Sequence, residues 1–278
     1  MTRRHVAALV AIALLGAACT EQITSTSGPI APTVVTSIVV ETTVPGSTVP
    51  PSSAATTTTS TSTTSTTSTS TTSTTSTTVV PTTTSCRQIV HIGDSTSVSL
   101  FEPSGVGGAE LTATAQYQMV GVVDVYPDND GARSMVERVD GQPSAIDVAE
   151  GVRDNGYDGC WVLMVGTNDA ANIAAGSNVT AEARIRAMMD VIGDDPVLWV
   201  DAVTQRTEDA YRNASMVAWN QELYRITAEY ANVRVYRWYD VVRPEWFRND
   251  GIHYSVEGSA QRATLTAQAL VTFFPATA

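Results

Sequence analysis

The sequence from residue 86 to residue 278 predicts an α/β fold, a three-layer α/β/α sandwich around a parallel five-stranded sheet. Two observations carry this prediction: short apolar runs that are bounded by glycine or polar residues, and helix patterns between those runs. Runs that are apolar almost throughout are typical of parallel strands covered on both faces. The repeated alternation of strand and helix then favours helices on both sides of one sheet.

Five strands and four helices are predicted in order along this region. The strand candidates span 89–92, 120–125, 160–165, 196–203 and 233–236. The helix candidates span 144–155, 180–192, 214–231 and 256–274. Thr180 is a favourable N-cap for the second helix, and the third has apolar residues at steps of three and four.

The N-terminus has the features of an export signal. Arg3 and Arg4 precede an apolar run over 6–15, which is too short to span a bilayer. Cys19 then follows Gly-Ala-Ala, an arrangement that resembles a bacterial lipoprotein signal, although Gly16 stands where that motif usually has Leu. We expect residues 1–18 to be a signal peptide and Cys19 to be lipidated; the alternative is an ordinary signal peptide cut near the same point.

Composition separates a linker from the folded domain. Residues 19–85 are dominated by Thr, Ser, Val and Pro, and 56–78 contain only Ser and Thr. Such a segment buries too little apolar surface to offset its ordering entropy, so we predict a disordered spacer. The predicted domain, 86–278, would therefore be exported and tethered to the outer face of the cell membrane.

The charge distribution excludes two classes of partner. The net charge is −12, all 16 basic residues are arginines, and nearly all charged residues lie in the domain. An acidic domain without a basic stripe argues against nucleic acid as a partner and against electrostatic docking on anionic lipid.

Candidate catalytic residues follow two of the predicted strands. The first strand leads into Gly93-Asp94-Ser95, and the third into Gly166-Thr167-Asn168-Asp169. Because ligands bind beyond the carboxyl ends of parallel strands, we expect the Ser95 hydroxyl and the Asn168 amide to lie at the same edge. A serine nucleophile also needs a base, and that base needs an orienting group.

The base can be chosen from only three histidines. His5 lies in the predicted signal, and His91 lies inside the first strand, where core packing is expected. His253 lies in a loop before the last helix, three residues after Asp250, a spacing that allows a carboxylate to hold an imidazole. By itself this pair could equally be a helix-capping aspartate and a surface histidine.

Together the three motifs are more specific. Gly-Asp-Ser, Gly-Thr-Asn-Asp and Asp-Gly-Ile-His, in this order and strand context, resemble the SGNH/GDSL hydrolase family over residues 89 to about 258. The resemblance implies a Ser95 nucleophile, a His253 base oriented by Asp250, and an oxyanion hole formed by the Ser95 N–H and the Asn168 amide.

The family's second oxyanion donor is a glycine N–H, and it is matched only loosely. The candidate loop is 128–134, in which Gly131 is the predicted donor, while Ala132 or Arg133 could occupy the same place. Arg133 is more typical of a surface salt bridge than of a catalytic residue.

The predicted activity is hydrolysis of acyl esters, such as acetyl esters of glycans, without cofactor or metal. Its alternatives are an acyltransferase that uses a cell-envelope sugar as acceptor and a non-catalytic envelope-binding domain. Trp246 and Phe247 either wall an acyl pocket or pack in the core. The sequence leaves the oligomeric state open.

Cys86 and Cys160 are the two cysteines of the domain, and we predict a disulfide between them. They lie seven residues before Gly93 and six before Gly166, which we expect at the same level in the sheet. In a sheet of flavodoxin-like strand order the first and third strands are neighbours. The one-residue offset points the side chains to opposite faces unless Cys86 precedes the regular strand; the alternative is two reduced thiols.

Overall fold

The computed structural model describes residues 82–277. The predicted signal peptide, Cys19 and the linker up to residue 81 lie outside the described residues, so their predicted roles stay predictions.

The described region is built on one parallel sheet. Its strand order is β2-β1-β3-β4-β5, and every neighbouring pair is parallel. This order is the flavodoxin-like one, and the predicted fold class is confirmed. The strands are β1 (Gln88–Gly93), β2 (Asp124–Asn129), β3 (Cys160–Met164), β4 (Val197–Val200) and β5 (Val233–Tyr236).

Eight α-helices lie within residues 82–277. They are α1 (Ser95–Val98), α2 (Pro103–Val106), α3 (Ala113–Met119), α4 (Ala145–Asp154), α5 (Thr167–Ala174), α6 (Ala181–Ile192), α7 (Asn213–Thr227) and α8 (Val256–Phe273). Those predicted from sequence are α4, α6, α7 and α8. Helix α6 begins after Thr180, whose side chain accepts the N–H of Ala183 as expected of an N-cap.

Two hydrophobic clusters cover the two faces of the sheet. Alternation along β3 divides its residues between them: Trp161 and Leu163 pack with α4–α7, whereas Val162 and Met164 pack with α3 and α8. All four side chains are at most 2% exposed. The three-layer arrangement thus follows from strands that are apolar on both faces.

The bounds of the second predicted strand, 120–125, are wrong: β2 begins four residues later, at Asp124. Val120 ends α3, and Val123 is half exposed. In the described sheet strand β2 pairs with β1 alone, so it is an edge strand, and all six of its residues are exposed or half-buried. An edge strand tolerates polar residues and Pro127, because its outer side needs no hydrogen-bond partner, and this removes the apolar signal.

The predicted disulfide is confirmed, but the predicted register is wrong. Gly93 pairs with Met164 rather than lying level with Gly166. The Cys86 and Cys160 sulfurs are 2.06 Å apart, with a Cα–Cα distance of 5.6 Å. Cys86 lies two residues before β1 begins, so strand alternation does not fix the direction of its side chain.

Candidate active site

Ser95 is placed by the tight connection between β1 and α1. A Cβ at Gly93 would lie 2.2 Å from Asn129 Oδ1, so only glycine allows this approach. Asp94 is the N-cap of α1, and its Oδ1 accepts the Thr96 N–H at 2.9 Å and the Thr96 hydroxyl at 2.7 Å. Burial raises the pKa of Asp94, against the effect of these hydrogen bonds. The turn leaves Ser95, the first residue of α1, partly exposed.

His253 and Asp250 complete a chain of hydrogen bonds to that serine. His253 Nε2 is 3.0 Å from Ser95 Oγ, and His253 Nδ1 is 2.8 Å from Asp250 Oδ2. Because a carboxylate only accepts, the imidazole proton lies on Nδ1, and Nε2 can accept the Ser95 hydroxyl proton. The structure therefore brings together the three residues predicted to act as nucleophile, base and orienting group.

The Asp250 carboxylate is held by the backbone as well as by the imidazole. Its Oδ1 accepts the N–H groups of Ile252 at 2.8 Å and of His253 at 2.9 Å. Partial burial works to raise the pKa of Asp250, but these hydrogen bonds and the contact with His253 outweigh it, so the pKa is lowered. Asp250 is therefore ionised at neutral pH.

Asn168 lies in the first turn of α5, which begins after a two-residue connection from the end of β3. Gly166 makes this possible, since its φ is +139° and a Cβ there would lie 2.5 Å from Trp219 Nε1. The Asn168 amide donates to the Arg133 carbonyl at 2.9 Å and accepts from the Tyr211 hydroxyl at 2.9 Å. Among residues 82–277 these are the two hydrogen bonds of the amide, so its second N–H stays available to a substrate oxygen.

The loop predicted to supply the other oxyanion donor differs in part from expectation. Gly131 is exposed, and its N–H donates to Asp130 Oδ1 at 2.7 Å, so a substrate oxygen would have to replace that contact. Its role stays a prediction. Arg133 does form an ion pair, with Asp128 at 2.7 Å, but its predicted surface position is wrong, since it is only 5% exposed.

Ser95 and His253 open into a cleft of about 500 Å³ whose walls are partly polar and partly apolar. The other lining residues are Val98, Ser99, Glu102, Ser104, Gly105 and Arg248. Trp246 and Phe247 are not among them; both are buried, and Trp246 stacks on Trp238 at 5.7 Å. The core-packing interpretation of these two aromatic residues is therefore correct.

A separate cavity of about 570 Å³ lies between α5, α6 and α7, and neither Ser95 nor His253 lines it.

His91 is a core residue, as predicted. It is fully buried, and its Nδ1 is 3.0 Å from the Tyr117 hydroxyl. Burial, with a smaller effect of the Arg262 charge, lowers its pKa to about 3, so the ring is neutral.

Sequence reasoning missed residues that support the site from other elements. Tyr211 contacts Asn168, and Arg262 on α8 donates to the Thr96 carbonyl and hydroxyl at 3.1 and 2.9 Å. Arg184 carried a signal that was available: it falls on the same face of α6 as Ile185 and Met188, and an arginine on an apolar face predicts a buried ion pair.

Within residues 82–277, no group of three or more His, Cys, Asp or Glu side chains is placed to hold a metal ion. In the same part of the chain, no helix combines the length and apolar character needed to cross a bilayer.

The chain is similar in structure to several proteins of known structure. No protein-family model matches the chain, and no curated protein matches it significantly. A lipase/acylhydrolase from Enterococcus faecalis is similar in structure, with 18% identity, a TM-score of 0.51, and 69% of this chain and 100% of that chain covered. At this level of identity the comparison shows that the two chains share a fold.

Two further structures are similar at lower scores. A GDSL-like lipase from Bacteroides thetaiotaomicron has 14% identity and a TM-score of 0.49, covering 68% of this chain and 89% of its own. A carbohydrate acetylesterase family member from Sinorhizobium meliloti has 15% identity and a TM-score of 0.49, covering 67% of this chain and 99% of its own.

Proposed function

We propose that this chain is a serine hydrolase of the SGNH/GDSL type that cleaves ester bonds. The observation that carries the proposal is the hydrogen-bonded chain from Ser95 through His253 to Asp250, at the carboxyl edge of a parallel sheet. The arrangement supplies a nucleophile, a base whose Nε2 lies within hydrogen-bond distance of that nucleophile, and an ionised group that orients the base.

The proposed mechanism is a two-step acyl transfer through Ser95. His253 Nε2 takes the Ser95 proton as Oγ attacks the ester carbonyl carbon, and the resulting imidazolium is stabilised by Asp250. The oxyanion is met by the Ser95 N–H, the Asn168 amide and the Gly131 N–H. His253 then gives its proton to the departing alcohol. Water attacks the acyl-enzyme, with His253 again as base, and releases the acid and the free serine.

The cleft supports a short acyl group joined to a polar alcohol. Of its lining side chains only Val98 is aliphatic, while Ser99, Ser104, Glu102 and Arg248 offer hydroxyl, carboxylate and guanidinium groups. A long acyl chain would leave these polar groups without partners, whereas a sugar alcohol can hydrogen-bond to them. We therefore propose acetylated or otherwise short-acylated glycans as the substrate class.

An ester panel tests this proposal. Acetyl and butyryl esters, including sugar acetates, should be hydrolysed faster than esters of ten or more carbons. Ser95→Ala should lower kcat by about 10³–10⁶-fold. Ser144→Ala is the matched control, since it removes the capping box of α4 at a cost of about 1 kcal/mol and should leave turnover unchanged.

Two results would overturn parts of the proposal. Near-normal turnover by Ser95→Ala would remove the nucleophile assignment. If acylated sugar is the dominant product when a sugar acceptor is added, the protein is an acyltransferase and not a hydrolase.

We also propose that the domain works outside the cell membrane, tethered through Cys19. The proposal is supported by the basic and apolar segments before Cys19 and by the Cys86–Cys160 disulfide, since disulfides persist in oxidising compartments. Mass spectrometry of the mature N-terminus tests it: a lipidated Cys19 is expected, and Cys19→Ser should leave the detergent phase. An unmodified terminus at another residue would contradict the anchor.

A further inference from the structure

Arg184 is a buried cation near the start of helix α6, where it is the fourth residue. Its side chain is 0% exposed, and its three nitrogens are all hydrogen-bonded. Burying a guanidinium costs several kcal/mol unless its donors are satisfied. Because movement of a partner away from Arg184 would incur this cost, the arginine restrains the positions of its partners.

The first partner is Asp169, the residue after Asn168. Its carboxylate is 0% exposed and lies 2.8 Å from Arg184 Nη1. The same oxygen, Oδ1, accepts the backbone N–H of Met135 at 2.9 Å. Burial raises the pKa of Asp169 to about 6 despite the nearby arginine, so it is mainly ionised at neutral pH.

The second partner is Glu137, which Arg184 contacts through both Nη1 and Nη2. Glu137 in turn accepts from the Ser134 hydroxyl at 2.6 Å and from the Ser177 hydroxyl at 3.0 Å. Burial works to raise the pKa of Glu137, but the hydrogen bonds from Arg184, Ser134 and Ser177 outweigh it and lower the pKa to about 2. This part of the network is therefore ionised throughout the neutral range.

The contacts of Asn168, Asp169 and Glu137 meet on residues 133–137. Together with the two residues before them, this stretch is named the 131–137 segment. Two consecutive residues of α5 grip it: Asn168 binds the carbonyl of Arg133, and Asp169 binds the N–H of Met135. At the C-terminal end of the segment, the Ser134 hydroxyl donates to the Glu137 carboxylate and accepts the Glu137 N–H. Arg184 is the residue that contacts both Asp169 and Glu137.

From this arrangement we infer that Arg184 is a positioning residue for the oxyanion hole: it holds the 131–137 segment against the first turn of α5, and so fixes Gly131 relative to Asn168. The inference rests on the proposed function, since it assigns Arg184 to the hydrolysis carried out at Ser95. Arg184 itself touches no reacting atom.

The physical reason is that oxyanion donors act only when they are held in place before the charge develops. A donor N–H on an exposed loop would need reorganisation at each turnover, and a displacement of about 1 Å can cost about 10²-fold in rate. The Arg184 network restrains the exposed residues of the 131–137 segment, because the segment residues that it contacts, Ser134 and Met135, are fully buried.

The test compares Arg184→Met with Arg186→Met, a matched control on the same helix. Arg186 forms ion pairs with Glu182 and Glu229, away from the 131–137 segment. We expect Arg184→Met to lower kcat about 10–100-fold with KM changed less than about 3-fold, and to weaken binding of a boronic acid, whose tetrahedral anion mimics the intermediate, by the same factor as kcat. Arg186→Met should change none of these.

A second variant guards against loss of folding. Arg184→Met alone leaves Asp169 buried without its cation, whereas Arg184→Met with Asp169→Asn removes both charges of the buried pair. We expect the double variant to fold and to show the same loss of kcat. Hydrogen exchange at the Met135 amide, whose N–H donates to Asp169 Oδ1, should rise in both variants and stay unchanged in the control.

The outcomes separate this inference from the proposed function. If the wild-type protein hydrolyses esters and the folded double variant keeps its kcat and boronate affinity, Arg184 is only structural and the inference is wrong. If the wild-type protein hydrolyses no ester while exchange at Met135 still depends on Arg184, the proposed function fails but the positioning of the segment holds. Unchanged exchange in the double variant overturns the positioning itself.

Discussion

Removal of the Cys86–Cys160 disulfide should lower the stability of the domain by an amount that its loop length sets. The two cysteines are 74 residues apart, and closing a loop of that size in the unfolded chain corresponds to about 4.5 kcal/mol at 25 °C. For a domain of this size each kcal/mol shifts Tm by about 2–4 °C, so the variant Cys86→Ala/Cys160→Ala should melt about 9–18 °C below the wild type.

The assay is thermal unfolding of the oxidised wild type, the reduced wild type and the double-alanine variant. The reduced wild type should follow the variant, since both lack the bond. Because Cys160 begins β3 while Ser95 lies beyond the opposite end of β1, kcat at 25 °C should not change. A melting temperature within about 2 °C of the wild type would refute the argument that this bond constrains the unfolded chain.

Four further predictions address the site, the core and the pH dependence. Asp250→Asn should lower kcat by about 10⁴-fold with little change in Tm, because the imidazole loses the partner that fixes its tautomer; steady-state kinetics and thermal unfolding measure both. Asn168→Ala should lower kcat by about 10²–10³-fold through loss of an oxyanion donor, and an unchanged kcat would contradict that role. Trp161→Ala should cost about 3–5 kcal/mol in denaturant unfolding, since Trp161 is 0% exposed. The folded pKa of Glu137 is lowered from 4.5 to about 2, so its stabilising effect is present above 4.5 and lost as the pH falls toward 2. The difference in unfolding free energy between wild type and Glu137→Gln should therefore shrink over that range.

The sequence was sufficient for elements that local signals define. Helix α6 is bounded by a capping threonine and by Gly193, and β5 matches its predicted bounds. The parallel three-layer arrangement followed from the apolar strands and the helices between them, whereas the flavodoxin-like strand order was part of the fold that the family resemblance implies. Edge strand β2 was misplaced, because exposure on its outer side removes the apolar pattern on which the prediction depends.

Short helices at the site could not be predicted for a related reason. Helices α1 and α2 have four residues each, too few to show a helical period, and α5 begins inside the Gly-Thr-Asn-Asp motif itself. These motifs identified the residues that the structure brings together at Ser95, but they did not identify the side chains and backbone groups that hold those residues in position.

The supporting contacts are long-range in sequence. Tyr211 and Asn168 are separated by 43 positions, and Arg184 and Glu137 by 47. Such pairs depend on how α5, α6 and the loops pack over the sheet, and no local pattern gives their partners. The buried arginine on the apolar face of α6 was the one indication that such a network exists.

Covalent labelling with a fluorophosphonate, followed by peptide mass spectrometry, tests the central assignment most directly. The reagent phosphonylates a serine only where a base activates it and an oxyanion site receives the developing charge. We predict one adduct per chain, on Ser95, and no adduct in either Ser95→Ala or His253→Ala. An adduct on a different residue, or labelling of Ser95 at an undiminished rate in His253→Ala, would contradict the Ser95–His253–Asp250 assignment.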